Sequence, residues 1–194
     1  MFERFDIEGP VLVKPRRFGD ERGYFMETYR RNVWSEAGID VEFVQHNHSF
    51  SAQKGVVRGL HFQTAPHPQA KLVRCTRGAL LDVAVDIREG SPTFSRHVAV
   101  ELSPENGWQL YVPAGFAHGF CTLTPDTELQ YLCSDYYAPA CDAGIAFDDP
   151  DLAIAWPVTR EQAVLSDKDT ALPRLRDFIA QTAAMPGNER GDRV

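Results

Sequence analysis

The chain has no C-x-x-C pair, no apolar run near the length of a membrane span, no low-complexity tract and no repeat of solenoid length. Each absence removes a class of protein. The four cysteines, Cys75, Cys121, Cys133 and Cys141, are not spaced for a zinc site. Three of them lie in strand-like runs, where a reduced thiol packs as a small hydrophobe. Free thiols and a cytoplasmic location are therefore the simplest reading. The N-terminus, MFERFDIEGP, lacks the basic stretch and apolar core of a secretory signal. Positive charge is also scarce: 20 Lys and Arg face 27 Asp and Glu, a net charge of −7. A protein that tracks nucleic acid needs a basic face, so no nucleic-acid partner is expected, and no membrane partner either. One small anionic ligand is still allowed, because it needs only a local cluster of Arg and Lys.

What is present points to one β-rich domain. The length of 194 residues, 43% of them apolar, suffices for a single sizeable core. Residues 11 to 29 read as two short strands around RFGDERG, a turn rich in Gly and Asp. RNVWSEAGI (31–39) reads as a short helix with Asn32 as N-cap and Gly38 as its stop. Eight strand-like runs follow: EFVQHNHSF, GVVRGLHF, AKLVRCT, ALLDVAVDI, HVAVEL, WQLYVP, GFCTLT and ELQYLCSDYY. Many short strands separated by Gly, Pro, Asn and Asp indicate an all-β sandwich or barrel. Near the end, TALPRLRDFIAQTAA sets Leu172, Leu175, Phe178, Ile179 and Thr182 at a helical period. The domain is expected over residues 1–184, with a helical segment at about 166–184 and a disordered polar tail at 185–194.

The chemistry concentrates in RGLHFQTAPHPQAKLVRCTRG, residues 58 to 78. Arg58, His61, His67, Lys71, Arg74 and Arg77 fall within this one stretch of an acidic protein. Such groups ligate a metal, grip a phosphate or move a proton. On a strict two-residue period Arg58 and His61 face opposite ways. Gly59, between them, marks a bulge or close approach if both serve one site. On this stretch alone, a solvated arginine and a satisfied histidine are the simpler reading. Lys71 shares a strand face with Val73; such a lysine either stabilises an oxyanion or guards a sheet edge. YVPAGFAHGF carries P-x-G-x-x-H through Pro113, Gly115 and His118, a tight turn that delivers a histidine to a strand. This turn resembles the second motif of the cupin superfamily. The H-x-H of the first cupin motif is incomplete, because GLHFQ offers only His61, and no metal is expected. Tyr131 shares its strand face with Leu129 and Cys133, the usual position of a packing residue.

Taken together, DERGYFMETY, QHNHS, VVRGLHFQ, PQAKLVRCTRGALLDVAVDIREGSPTF, LYVPAGFAHGF, TELQYLCSDYYAP, FDDPDLAIAWP and LSDKD resemble the dTDP-4-dehydrorhamnose 3,5-epimerase family, from about Gly19 to Asp169. The resemblance implies a cupin-type jelly roll with short flanking helices. It also implies epimerisation of a thymidine diphosphate 4-keto-6-deoxy sugar at C3 and C5 through an enolate, with neither cofactor nor metal. It makes His61 the base, Asp169 its carboxylate partner, Lys71 the enolate stabiliser and Tyr131 the acid. Arg22, Glu27, Gln45, Asn47, Arg58, His118, Asp142 and Lys168 map to substrate contacts; Asp142 stands where the family usually has Glu. A homodimer is implied, with N-terminal strands (residues 1–50) crossing to the partner and Arg22 and Glu27 serving the neighbour's site. Three alternatives remain: a single-site epimerase acting at C3 or C5 only, a metal-dependent cupin, and a non-catalytic nucleotide-sugar binder.

Overall fold

The computed structural model describes residues 1–184; the tail expected at 185–194 lies outside them. Two antiparallel sheets pack face to face. The six-stranded sheet has the order β1 (Phe2–Arg4), β2 (Val11–Val13), β10 (Gln109–Val112), β7 (Lys71–Arg77), β12 (Thr127–Cys133), β5 (Gln45–Ser51). The five-stranded sheet runs β13 (Asp142–Gly144), β6 (Val57–Gln63), β11 (Phe116–Thr122), β8 (Leu80–Asp86), β9 (His97–Leu102). A separate hairpin joins β3 (Arg17–Asp20) to β4 (Gly23–Met26). The result is the expected jelly-roll sandwich, and all eight strand-like runs after residue 41 form strands. Residues 11–29 hold three strands rather than two, and β1 and β13 gave no readable pattern.

Apolar packing explains why several strands lack clean alternation. Every residue of β11 is buried, because both of its faces meet apolar layers. Leu110, Val73 and Leu129 on one sheet meet Leu80, Val98, Leu102 and Phe120 on the other in the central core. The outer face of the five-stranded sheet is covered by Leu152, Trp156, Leu175 and Phe178. On the outer face of the six-stranded sheet, Trp34 packs on Val11, Leu72 and Tyr111.

The helices differ from expectation in detail. α1 covers Arg31–Glu36 with Arg30, not Asn32, at the N-cap and no side-chain cap bond. The helix is held by Trp34 entering the apolar layer rather than by its cap. The C-terminal segment is two pieces, α2 (Asp167–Thr170) and α3 (Leu175–Ala184), separated by Pro173. A proline cannot donate to the helical ladder, so the period through Leu172 does not continue as one helix. Leu175 and Phe178 reach the core, whereas Ile179 is exposed. The side chain of Thr182 lies outside the described residues.

Candidate active site

The register of the six-stranded sheet lines up one inner face. Tyr131 is opposite Asn47 on one side and Val73 on the other; Cys133 is opposite Gln45 and Lys71; Leu129 is opposite Ser49 and Cys75. Paired positions on antiparallel neighbours point to the same face. The inner face is therefore apolar at the Leu129–Cys75 end and polar at the Lys71–Gln45 end. Two connected cavities open there, of about 350 and 280 Å³. The larger is lined by Gln45, Asn47, Tyr137, Asp142 and others, the smaller by Ser49, Arg58, His118, Phe120, Asp169 and others; His61, Lys71, Tyr131 and Lys168 border both.

The opposite wall comes from the five-stranded sheet and depends on Gly59. His118 pairs with His61 and Phe120 with Arg58, so two residues of β6, Gly59 and Leu60, oppose the single Gly119 of β11. This bulge resets the alternation and brings Arg58 and His61 to the same cavity, as one shared site requires. Gly59 has a φ of +119°, and a Cβ there would stand 2.6 Å from the Gly119 Cα. No other residue fits. Gly115, at φ +85°, makes the turn that launches β11 and places His118 on it.

His61 Nε2 lies 2.6 Å from Asp169 Oδ1. A carboxylate only accepts, so Nε2 carries the proton and Nδ1 is the basic nitrogen of the neutral ring. Asp169 is itself fixed. Its Oδ1 accepts from the Gly59 amide at 3.2 Å and its Oδ2 from the Ser166 hydroxyl at 2.6 Å. Burial opposes ionisation of Asp169, but the hydrogen bonds from His61, Ser166 and Gly59 outweigh it and hold the carboxyl below its ordinary value. Ser166 is the N-cap of α2 and accepts from the Asp169 amide at 3.1 Å. The S-x-x-D spacing in LSDKD is a helix-start signature, and it was the available signal for Ser166.

Lys71 Nζ reaches the His61 carbonyl oxygen at 3.4 Å. Burial lowers its pKa from the ordinary lysine value, against the pull of Cys133, Asp82 and Asp142. Burial also raises the Tyr131 phenol, helped by Cys133 and opposed by Arg58, so this hydroxyl keeps its proton at neutral pH. His118 Nε2 is 2.8 Å from Asp82 Oδ1. Gln45 donates to Asn47 Oδ1 at 3.1 Å and accepts from the Tyr137 amide at 2.9 Å. Asp142 Oδ2 accepts from Lys168 Nζ and from the Tyr137 hydroxyl.

Ten of the twelve sequence-derived positions thus gather on two touching cavities: His61, Tyr131, Lys71, Asp169, Gln45, Asn47, Arg58, His118, Asp142 and Lys168. Arg22 and Glu27 do not. Arg22 sits on the hairpin turn, exposed and paired with Asp20. Glu27 pairs with Arg30 at 3.3 Å beside a different pocket. Ser49, Asp82, Ser166 and Tyr137 were not picked out from the sequence; Asp82 stands out by full burial, Ser166 by its bond to Asp169, and Ser49 and Tyr137 by lining the cavities. Among the described residues, no group of three His, Cys, Asp or Glu side chains is placed to hold a metal ion.

Residues 4–177 match the family model described as dTDP-4-dehydrorhamnose 3,5-epimerase. The chain belongs to this family. It is 53% identical over 174 residues to the dTDP-4-dehydrorhamnose 3,5-epimerase of Sinorhizobium fredii, covering 90% of this chain and 89% of that one. Among solved structures, the epimerase of Legionella pneumophila in complex with dTDP-4-keto-L-rhamnose is 44% identical, with a TM-score of 0.88 and coverage of 93% and 95%. A 3'-monoepimerase from Streptomyces bikiniensis, in complex with dTDP-quinovose, is 40% identical, with a TM-score of 0.85 and coverage of 92% and 89%. In an epimerase of this family, a base and an acid on facing walls are the arrangement inversion requires. The proton must leave from one side of a carbon and return on the other.

Proposed function

We propose that the chain inverts C3 and C5 of a thymidine diphosphate 4-keto-6-deoxy sugar. The observation that carries this reading is the placement of His61 and Tyr131 on opposite sheets, facing one chamber bordered by Lys71. The C4 ketone acidifies the hydrogens on C3 and C5. His61 Nδ1 takes one as a proton, and the C–H electron pair moves into an enolate whose negative oxygen faces Lys71. Tyr131 then delivers its phenolic proton to the opposite face of the carbon; the phenolate regains a proton from solvent as the His61 imidazolium releases one. A neutral imidazole held by a carboxylate offers its free nitrogen as a base, which suits the first step. A buried ammonium stabilises the enolate more strongly than an exposed one. The larger cavity, with Gln45, Asn47, Tyr137 and Lys168, suits the nucleotide and diphosphate.

Two further parts belong to the same reading. The exposed Arg22 and Glu27 fit a homodimer in which each hairpin serves the neighbouring chamber. The four buried free thiols fit a reducing, cytoplasmic compartment.

The test is solvent exchange with dTDP-4-dehydro-6-deoxyglucose in heavy water, read by mass and NMR. Deuterium at both C3 and C5 with an L-configured product is expected. Deuterium at one carbon alone would assign a single-site epimerase. A folded, ligand-bound protein that exchanges neither position would overturn the catalytic reading.

A further inference from the structure

Asp82 is an ionisable group that the mechanism above leaves unused. It is fully buried on the inner face of β8, opposite Phe120 and Val100, with Leu80 and Ala84 beside it along the strand. Burying a carboxyl among such neighbours is costly unless something compensates for it. Its Oδ1 meets His118 Nε2 at 2.8 Å, and its Oδ2 is buried with no hydrogen-bond partner. Among the described residues, His118 is therefore the one hydrogen-bond partner of this carboxyl. The arrangement repeats that of His61 and Asp169 on the neighbouring strand. His118 and His61 are register partners, and each ring is held through Nε2 by a buried aspartate.

Resting on the epimerase reading, we infer that Asp82 is a positioning residue that holds His118 with Nε2 protonated, so that Nδ1 faces the chamber as acceptor for a hydroxyl of the sugar ring. The inventory of the chamber favours this. Arg58, Lys71, Lys168 and Tyr131 all present donors, which suit a ketone, an enolate and a diphosphate. Ring hydroxyls bring donors of their own and need acceptors. His118 Nδ1 is such an acceptor, provided that its other nitrogen keeps the proton. Asp82, which only accepts while ionised, enforces that tautomer. Its negative charge also favours the ammonium form of Lys71.

The test is Asp82→Asn in the full chain, read in two ways that need no turnover. Imidazole 15N shifts report the tautomer of His118, and titration compares dTDP with dTDP-glucose. A carboxamide turned to donate to Nε2 moves the ring proton to Nδ1. The expected result is that shift, an affinity for dTDP-glucose lowered about tenfold, as for one lost hydrogen bond, and an unchanged affinity for dTDP. An unmoved tautomer, or a moved tautomer with unchanged dTDP-glucose affinity, overturns the proposal. Where Asp82→Asn does not fold, His118→Asn and His118→Leu decide. The Asn oxygen stands in for Nδ1, so Asn should bind dTDP-glucose about tenfold more tightly than Leu; equal loss overturns the proposal. A wild-type protein that binds both ligands but exchanges no deuterium sinks the epimerase reading alone, because tautomer and affinity are measured without the reaction.

Discussion

The chamber and the β3–β4 hairpin both carry charged and aromatic residues, yet their surroundings are opposite. In the chamber the two histidines and the Asp169 carboxylate are backed by other groups: Asp169 by Ser166 and Gly59, His61 by Asp169, His118 by Asp82. On the hairpin, Phe18, Tyr24 and Phe25 are 51%, 57% and 68% exposed, and among the described residues Arg22 is paired with Asp20 alone. A monomer rarely leaves three neighbouring aromatics in water without a use for them. On the proposed homodimer, this contrast separates a part that one chain completes from a part that serves a second copy. The proposed proton-transfer groups lie in the first part, two expected ligand contacts in the second. Variants in the two parts should therefore fail in different ways.

The largest effect belongs to the chamber. His61→Asn should lower turnover by about a thousandfold or more, with deuterium exchange lost at both carbons, since it removes the proposed base. Asp169→Asn should follow in the same direction, through the wrong tautomer. It also carries a stability signature. The folded carboxyl titrates below its ordinary value of 3.8, so its stabilisation is fully present above that value and is lost as pH falls through the lower one. Thermal melts from pH 7 to pH 2 should show this acid loss in the wild type and a flatter profile in Asp169→Asn. A steep, unchanged profile would show that other carboxyls dominate.

Lys71→Ala should cost about a hundred- to thousandfold in kcat, the range for a lost oxyanion donor. Because burial lowers its pKa, the alkaline limb of the kcat profile should fall below 10.5, the ordinary lysine value. Lys71→Arg should move that limb upward, because guanidinium does not deprotonate in this range. An unmoved limb would assign it to another group. Tyr131→Phe separates exchange from inversion. His61 still removes and returns protons on its own face, so deuterium should enter the substrate while net inversion falls by about a hundredfold. Equal loss of both would make Tyr131 part of the abstraction step.

How much of this was legible in the sequence follows the same division. The strands after residue 41 were readable because β-branched and aromatic runs alternate with Gly and Pro, a local signal. Gly59 even announced its bulge, since a glycine between two functional residues of opposite parity calls for one. Composition and period did not select the site; the joint order of the motifs did, through family resemblance. The groups behind the site stayed invisible. Asp82 reads as any acidic residue in ALLDVAVDI, and only the register opposite Phe120 and the contact with His118 give it a role. The helical period through Leu172 misled because Pro173 overrides it, and Asn32 lost the capping position because α1 is held by Trp34 in the apolar layer.

The smallest effect should come from the hairpin, and it tests the division most directly. Arg22→Ala removes an exposed side chain, so the fold and kcat should hold, while KM for the sugar nucleotide rises about tenfold through a lost charge-assisted contact. Subunit mixing then decides whose chamber Arg22 serves. In a heterodimer of Arg22→Ala and His61→Asn chains, a crossing hairpin creates one site with both groups intact: His61 from the first chain and Arg22 from the second. That mixture should regain activity at the wild-type KM, although the His61→Asn parent is inactive and the Arg22→Ala parent has a raised KM. If Arg22 serves its own chain, every active site in the mixture lacks it, and the KM stays raised. Sedimentation at the assay concentration shows whether the dimer needed for mixing exists, and a monomer there, active with full affinity, would end the two-copy reading of the hairpin.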